Sequence, residues 1–413
     1  MRTYFVQLWR EWASVCRRLW APRRRYAAVV AEPFKNLINS EVVAAIAHHV
    51  GRAGSGFDSA AFTHQALAGL VLLELKARVM QVAQALVAHL PTDVDHAAGL
   101  LEASLGPAGA GDDLARLHTS AAGLAGWAVW PLTEAITLIA AQHQPARGLR
   151  ALHAMTQRLT AEFAIRPFLI QHPALVFETL TRWTTDPSAP VRRLVSEGSR
   201  PRLPWGLRLQ ALVINPSPTL PLLRALQDDP SAYVRRSVAN HLNDIAKDHP
   251  ALIAQWLAEH LPGAPAERLA LLRHASRSLI KQGDAAVLAA WGLGARFRGS
   301  AGLTVAPVAV RVGDALALQL RLRSTARTPQ RLAIDYAVHH VKAGGHTTPK
   351  VFKGWVIELA AGESRTLQKQ HSMKAITTRR YHPGAHAVDV RINGQVLAQA
   401  GFELAVDNPP LRG

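Results

Sequence analysis

Two related stretches of sequence decide the fold of most of the chain: DPSAPVRRLVSEGSR, residues 186–200, and DPSAYVRRSVANHLN, residues 229–243. Asp, Pro, Ser, Ala, Val, Arg, Arg and Val recur at matching offsets, 43 residues apart. Asp or Ser is expected to cap a helix in each copy, with Pro in its first turn. An apolar helical segment precedes each copy, so the chain contains a repeat built from helix pairs. Such units bury their apolar faces by stacking on one another.

The helical pattern extends from Glu32 to about Gly292. Apolar residues recur there at helical spacing, and we expect one continuous stripe formed by Leu72, Leu75, Val79, Val82 and Leu86. A period of roughly 40–47 residues made of helix pairs is typical of HEAT-like repeats. The sequence therefore predicts an all-α solenoid with a concave surface.

After Gly302 the pattern changes to short segments in which apolar and polar residues alternate. The pair Asn393-Gly394 between two such segments is a strong hairpin signal. Six or seven strands over this length predict an all-β immunoglobulin-like sandwich. The expected multidomain organisation is a basic N-terminal extension at 1–31, a HEAT-like domain at 32–300 and an Ig-like domain at 301–413.

Charge and cysteine content narrow the classes of function. The 413 residues include 47 Lys and Arg against 29 Asp and Glu, a net charge of +18, and the segment 303–405 alone carries +8. This excess favours a polyanionic partner such as nucleic acid, or an anionic membrane surface. The single cysteine excludes an internal disulfide framework and a multi-cysteine zinc cluster. We expect no membrane-spanning segment and no metal or cofactor. The protein is expected to be a monomer in a reducing cytoplasm, associated with the nucleoid.

Residues 1–31 hold seven Arg and one Glu, without the apolar core of a secretory signal. One interpretation is a basic arm that contacts phosphates or a membrane surface. The favoured interpretation is a poorly ordered extension, or a start codon placed too far upstream.

Basic side chains in the repeats are candidate DNA-binding residues. The Arg pairs lie near helix N-termini, where backbone N–H groups and guanidinium groups together suit phosphate. For one Arg of each pair, an ion pair with Asp between neighbouring helices is an equally good explanation. The complete predicted set is Arg192, Arg193, Arg200, Arg202, Arg235, Arg236 and Lys247 in the repeats, and Lys353, Arg379 and Arg380 in the sandwich.

Three further residues have both a structural and a chemical explanation. Trp205, between Pro204 and Gly206, either caps the helical core or faces the groove, where an indole can contact a sugar or a cationic base. Asp244 lies on a polar helix face with Lys247. From local sequence alone, Glu162 is best explained as an i,i+4 partner of Arg166.

Several motifs resemble the AlkC branch of the AlkC/AlkD DNA glycosylases. They are EPFKNLINSEVV from Glu32, LELKARV, LTAEFAIRPFL, VRRLVSEGSRPRLPWG, SAYVRRSVANHLNDIAKDHP and KQGD from Lys281. The resemblance covers most of residues 32–292, and the β domain is similar to the Ig-like domain found in part of that family. Residues 1–31 depart from the family pattern.

The resemblance implies excision of 3-methyladenine and 3-methylcytosine from DNA without base flipping, as the first step of base excision repair. It also implies that Glu162, Trp205 and Asp244 are catalytic. The alternative hypothesis is a non-catalytic HEAT-repeat scaffold that binds nucleic acid through the same arginines. A scaffold tolerates neutral residues at Glu162 and Asp244, whereas the enzyme does not. A membrane-surface protein is the third possibility, supported only by residues 1–31.

Overall fold

The computed structural model describes residues 34–109, 111, 114–293, 295–376 and 379–405. The basic extension predicted at 1–31 lies outside these residues. Helices occupy the N-terminal part and strands the C-terminal part, as predicted. The described residues form two compact units: one holds those up to Asp248 with Pro265–Ala275, and the other holds His249–Ala264 and those from Ser276 onward. The predicted domain boundary at residue 300 stays a prediction.

The helices of the described residues are short. In chain order they are α1 (Ser40–Ala53), α2 (Ser59–Leu67), α3 (Leu75–His89), α4 (Val94–Ala103), α5 (Val129–Ala140), α6 (Pro145–Thr156), α7 (Ile165–Gln171), α8 (Pro173–Trp183), α9 (Ala189–Gly198), α10 (Gln210–Ile214), α11 (Leu220–Leu226), α12 (Ala232–Ile245), α13 (Pro250–His260), α14 (Ala266–Ala275), α15 (Arg277–Gln282) and α16 (Ala285–Ala290). None of them is long and apolar enough to cross a membrane.

The two repeat copies form the helix pairs α8–α9 and α11–α12, and α12 lies between α9 and α14. The prediction that Pro occupies the first turn was wrong for Pro187 and Pro230, which precede the N-terminal caps Ser188 and Ser231. Of these two serines, Ser231 accepts cap hydrogen bonds through its hydroxyl from the first turn of α12, whereas the Ser188 side chain accepts none. The helices therefore begin two residues after each Pro, and the Arg pairs lie in their first two turns.

Leu72 was wrongly placed in the apolar stripe of α3. It lies in a 3-10 turn before the helix and is 83% exposed. The remaining stripe residues, Leu75, Val79, Val82 and Leu86, are buried as predicted. The helix begins at Leu75, with Glu74 at the N-cap position, so Leu72 lies outside the helical stripe.

The C-terminal strands form two sheets. They are β1 (Gly299–Ala306), β2 (Ala309–Arg311), β3 (Ala315–Ser324), β4 (Gln330–Val341), β5 (Thr347–Leu359), β6 (Ser364–Ser372), β7 (Gly384–Ile392) and β8 (Gln395–Ala405). The sheet orders are β1-β3-β6 and β2-β8-β7-β4-β5, with alternate strand residues buried between them. Strand β6, SRTLQKQHS, was missed because its alternating residues are mostly polar.

The predicted Asn393-Gly394 hairpin is confirmed, and both residues have positive φ, 49° and 82°. Its Asn393 side chain accepts a hydrogen bond from the Ala333 N–H at 2.8 Å and donates one to the Ala295 carbonyl at 2.8 Å. Gly394 packs so closely on Gly283, at the end of α15, that a Cβ on Gly283 would lie 2.9 Å from its Cα. Within this unit, the hairpin is therefore seated on the last helices.

Three histidines are buried inside the sandwich. Arg379 donates to Nε2 of His340 at 2.7 Å, the hydroxyl of Tyr336 lies 3.1 Å from Nδ1 of His371, and Nε2 of His386 donates to a backbone carbonyl. The other ring nitrogen of each histidine has no hydrogen-bond partner among the described residues. Burial, reinforced by the Arg379 charge, lowers the pKa of His340 to about 3 and that of His371 to about 4. Burial also lowers the pKa of His386.

This cluster predicts that the sandwich loses stability in mild acid. Because the folded-state pKa values lie below the unfolded value of 6.5, the unfolded state binds more protons as pH falls through 6.5. The free energy of unfolding is expected to fall between pH 7 and pH 5 by up to about 2 kcal/mol per histidine. Urea unfolding of the full chain, followed by β-sheet circular dichroism at several pH values, measures this. A flat profile over that range would contradict the prediction.

Candidate active site

The first Arg of each repeat pair secures the turn before its own helix. Arg192 donates to the Asp186 carbonyl at 2.7 Å, and Arg235 donates to the equivalent Asp229 carbonyl. Arg192 also binds the Asp229 carboxylate through two contacts of 2.6 and 3.0 Å. This is the inter-helix Arg–Asp pair considered as the alternative to DNA binding. The geometry therefore gives Arg192 a structural contact between the repeats.

The second Arg of the first repeat reaches Glu162. Arg193 Nη1 donates to Glu162 Oε2 at 2.6 Å and to the Thr160 hydroxyl at 2.6 Å. The expected i,i+4 pair with Arg166 was wrong: Glu162 lies in a turn before α7, and its partner comes from α9. Glu162 is 8% exposed. Tertiary packing, and not helix spacing, therefore determines which arginine pairs with the Glu162 carboxylate.

Glu197 is the centre of a buried ion network that extends to Asp244. Its carboxylate accepts from Arg200 Nη1 at 2.5 Å and from the Ser237 hydroxyl at 2.6 Å. Arg200 Nε also donates to Asp244 Oδ2 at 2.8 Å, and Lys247 Nζ donates to Asp244 Oδ1 at 2.8 Å. Asp244 is 2% exposed. Its buried charge is compensated by Arg200, which follows α9, and by Lys247, which follows α12.

Arg193 and Glu197 complete the connection between the two predicted catalytic carboxylates, since Arg193 Nη2 lies 3.6 Å from Glu197 Oε1. Burial by itself would raise the pKa of Glu197, but Arg200 and Arg193 outweigh it and hold the pKa well below its usual range. Glu162 and Asp244 are thus the two ends of one alternating series of charges. We call the set Glu162, Arg193, Glu197, Arg200 and Asp244 the ion network.

Trp205 lies on the loop that follows α9, five residues after Arg200 of this network. Its backbone has a φ of 63°, a left-handed conformation that is uncommon for residues other than Gly, and the residue is 44% exposed. Arg202 ties the loop to the turn that follows α12, because it binds Asp248 there through two contacts of 2.7 Å. A large aromatic side chain is therefore presented on a restrained loop, and it is not the buried core cap considered as its alternative.

The predicted DNA-binding residues differ in how much of each side chain is available. Arg200 is 7% exposed and committed to the ion network, and Arg379 is engaged with His340. Four members of the set are exposed: Arg236, Lys247, Lys353 and Arg380, although Lys247 also donates to Asp244. The assignment of the whole set to DNA contacts stays a prediction.

Sequence reasoning missed Glu197 as a site residue. It lies four residues after Arg193 and three before Arg200, the spacing at which opposite charges meet on a helix. That spacing was the available signal. Within the residues that the structure describes, no three His, Cys, Asp or Glu side chains are grouped as a metal site requires.

Comparison with known proteins agrees with this architecture. Residues 299–406 match the family described as the C-terminal Ig-like domain of the uncharacterised protein YhaZ. The chain is 34% identical over 373 residues to the uncharacterised protein YhaZ of Bacillus subtilis (strain 168), which covers 90% of this chain and 99% of that protein. It is also similar to the structure of the Pseudomonas fluorescens alkylpurine DNA glycosylase AlkC bound to DNA containing an abasic site analogue.

The similarity to the AlkC structure has a TM-score of 0.81 and a sequence identity of 35%, over 91% of this chain and all of that one. Fold and site together define a HEAT-like repeat protein with a C-terminal Ig-like domain and a buried network of carboxylates and arginines. The chain belongs to the AlkC-type family, which includes AlkC and YhaZ.

Proposed function

We propose that this protein is a DNA glycosylase that hydrolyses the N-glycosidic bond of cationic N-alkylated bases, 3-methyladenine and 3-methylcytosine, in double-stranded DNA. The observation that carries the proposal is the ion network, which holds Glu162 and Asp244 as its two ends. The loop that follows Arg200 of this network carries the exposed Trp205. The AlkC neighbour, whose structure contains DNA with an abasic site analogue, supports the choice of substrate.

The chemistry of these bases matches what the site residues offer. An N3-methylated base is already cationic, so it leaves without strong general-acid assistance. Positive charge develops on the deoxyribose as the bond breaks, as in the oxocarbenium-like transition state of glycoside hydrolysis. Carboxylates directed at that sugar stabilise the charge, and one of them orients or deprotonates the attacking water. We assign these roles to Asp244 and Glu162.

Arg193, Arg200 and Lys247 fix the carboxylates in place before substrate arrives. Preorganised charge is effective because the site has no reorganisation to perform during the reaction. We assign to Trp205 contact with the deoxyribose or the cationic base through its ring face. In this proposal the lesion is cleaved while it remains near the duplex, without base flipping, and the resulting abasic site starts base excision repair. The protein would act as a monomer, on DNA of the nucleoid.

The decisive experiment is an assay for free methylated bases. Genomic DNA treated with a methylating agent is incubated with the full chain, and released bases are separated by chromatography. Release of 3-methyladenine and 3-methylcytosine, with unmodified bases retained, is the expected result. Tight DNA binding without any release would instead favour the non-catalytic scaffold.

Replacing Arg235 and Arg236 together with Ala is expected to weaken binding to all duplexes about equally. Loss of one or two phosphate contacts should lower the slope of log affinity against log salt by about one to two. Most of the effect is assigned to Arg236, which is exposed, since Arg235 donates to the Asp229 carbonyl. Fluorescence anisotropy of a labelled duplex over a range of salt concentrations measures both quantities.

Arg150→Ala is the matched control, because Arg150 is an exposed arginine on α6 outside the predicted set. Its salt slope should equal that of the unchanged protein. If the Arg235/Arg236 double variant behaves like this control, the pair is structural. The exposed Lys353 and Arg380 of the sandwich are proposed to contribute further phosphate contacts, testable in the same assay.

A further inference from the structure

The loop that carries Trp205 is anchored at both ends by one buried side chain. Arg166, on α7, is fully buried. Its Nη1 donates to the Gly198 carbonyl at 2.8 Å, where the loop leaves α9, and its Nε donates to the Leu207 carbonyl at 2.5 Å, just after Trp205. Arg166 thus closes the base of the loop. The apex of the loop, where Trp205 lies, is contacted by other residues.

Lys76 supplies a contact at the apex. It is exposed in the first turn of α3, more than a hundred residues earlier in the chain, and its Nζ donates to the backbone carbonyl of Trp205. The same ammonium lies 5.2 Å from the ring centroid of Phe163, a cation–π contact. Phe163 directly follows Glu162 and is stacked on Trp130 at 5.3 Å. One cation therefore contacts the two segments that carry Glu162 and Trp205.

The backbone conformation of Trp205 makes such a contact useful. A φ of 63° is uncommon outside Gly, so the residue is held there by its surroundings. A charged donor on the Trp205 carbonyl restrains the peptide plane between Trp205 and Gly206, and with it the direction of the Cα–Cβ bond from which the indole extends.

We propose that Lys76 is a positioning residue for Trp205: it holds the indole in the direction needed at the lesion and does not itself bind DNA. The inference rests on the proposed function, in which Trp205 contacts the damaged nucleotide. The competing role for an exposed lysine is a phosphate contact, and the two roles predict different measurements.

The test is a double-mutant cycle in single-turnover excision of 3-methyladenine. Lys76→Met is expected to slow excision about 10-fold, since small misplacement of a site group is costly, with affinity for an abasic duplex and its salt slope unchanged. In a Trp205→Ala background the same change should have less than about a 2-fold effect, because coupled residues are not additive. Lys76→Arg, which keeps a charged donor, should recover most of the rate.

Equal 10-fold losses in both backgrounds would overturn the proposal. So would weaker binding to every duplex with a salt slope reduced by about one, the signature of a phosphate contact. Because Lys76 is exposed, the variant should fold, and thermal unfolding checks this.

A second readout does not depend on activity. The full chain is labelled with 5-fluorotryptophan, and the ¹⁹F resonance of Trp205 is assigned by its absence in Trp205→Phe. Lys76→Met should shift or broaden that resonance in the free protein, and Lys76→Arg should change it little. An unchanged resonance would overturn the positioning role even in an active enzyme. If the unchanged protein releases no methylated base but the shift is seen, the proposed function fails and the contact stands.

Discussion

Asp244→Asn is expected to lower the rate of base release at least about 100-fold while leaving DNA affinity within a few-fold of the unchanged protein. Asn keeps the shape of the side chain and an oxygen that can accept from Arg200 or Lys247. It removes the negative charge that we assign to stabilising the sugar cation. Among the arginines of the ion network only Arg200 loses a carboxylate, and it retains its contact with Glu197. The fold should therefore survive with a smaller loss of stability than a change at Glu197, which serves two arginines. Single-turnover release of 3-methyladenine and anisotropy with an abasic duplex measure the two effects.

Asp248→Asn is the matched control. Asp248 lies four residues further along the chain and is also paired with an arginine of the Trp205 loop, through Arg202. Its pair is more exposed than that of Asp244, with both side chains 25% exposed, so the cost of losing its charge should be about 1 kcal/mol or less. Near-normal excision by Asp244→Asn, or an equal loss in both variants, would remove Asp244 from its catalytic role.

Glu197→Gln is expected to destabilise the helical repeats by about 3–5 kcal/mol, because it leaves Arg193 and Arg200 buried with too little compensating charge. Only one carboxylate would remain close to each guanidinium group: Glu162 for Arg193 and Asp244 for Arg200. Excision should fall as well, because both predicted catalytic carboxylates are oriented by these arginines. Urea unfolding followed by helical circular dichroism gives the stability, and single-turnover release gives the rate.

Glu178→Gln is a control of the same chemical type. Glu178 is paired with Arg182 on the surface of α8, where the side chains are 68% and 61% exposed. Exposed pairs contribute about 0.2–1 kcal/mol, so this variant should remain close to the unchanged protein in stability and rate. Equal stabilities for the two Gln variants would show that Glu197 is not the centre of the network.

The helical repeat, the change to strands near residue 300 and the Asn393-Gly394 hairpin could all be predicted from the sequence. Each depends on local signals: apolar periodicity, turn residues and a motif that recurs after 43 residues. Such signals act over a few neighbouring residues, so they are present in the sequence before any packing occurs. Leu72 was placed wrongly because an apolar residue can lie in an exposed turn, and β6 was missed because a strand can be mostly polar.

The motifs around Glu162, Trp205 and Asp244 also marked a candidate site in the sequence, but the partners of these residues were decided by the tertiary structure. Helix spacing predicted that Glu162 pairs with Arg166. In the structure, stacking of the helices places Arg193 against Glu162 instead, and Arg166 binds the two ends of the Trp205 loop. Lys76 reaches the same loop across 129 residues of sequence. A buried charged group pairs with the partner that packing brings within hydrogen-bond distance. Which partner this is depends on contacts between elements far apart in the chain.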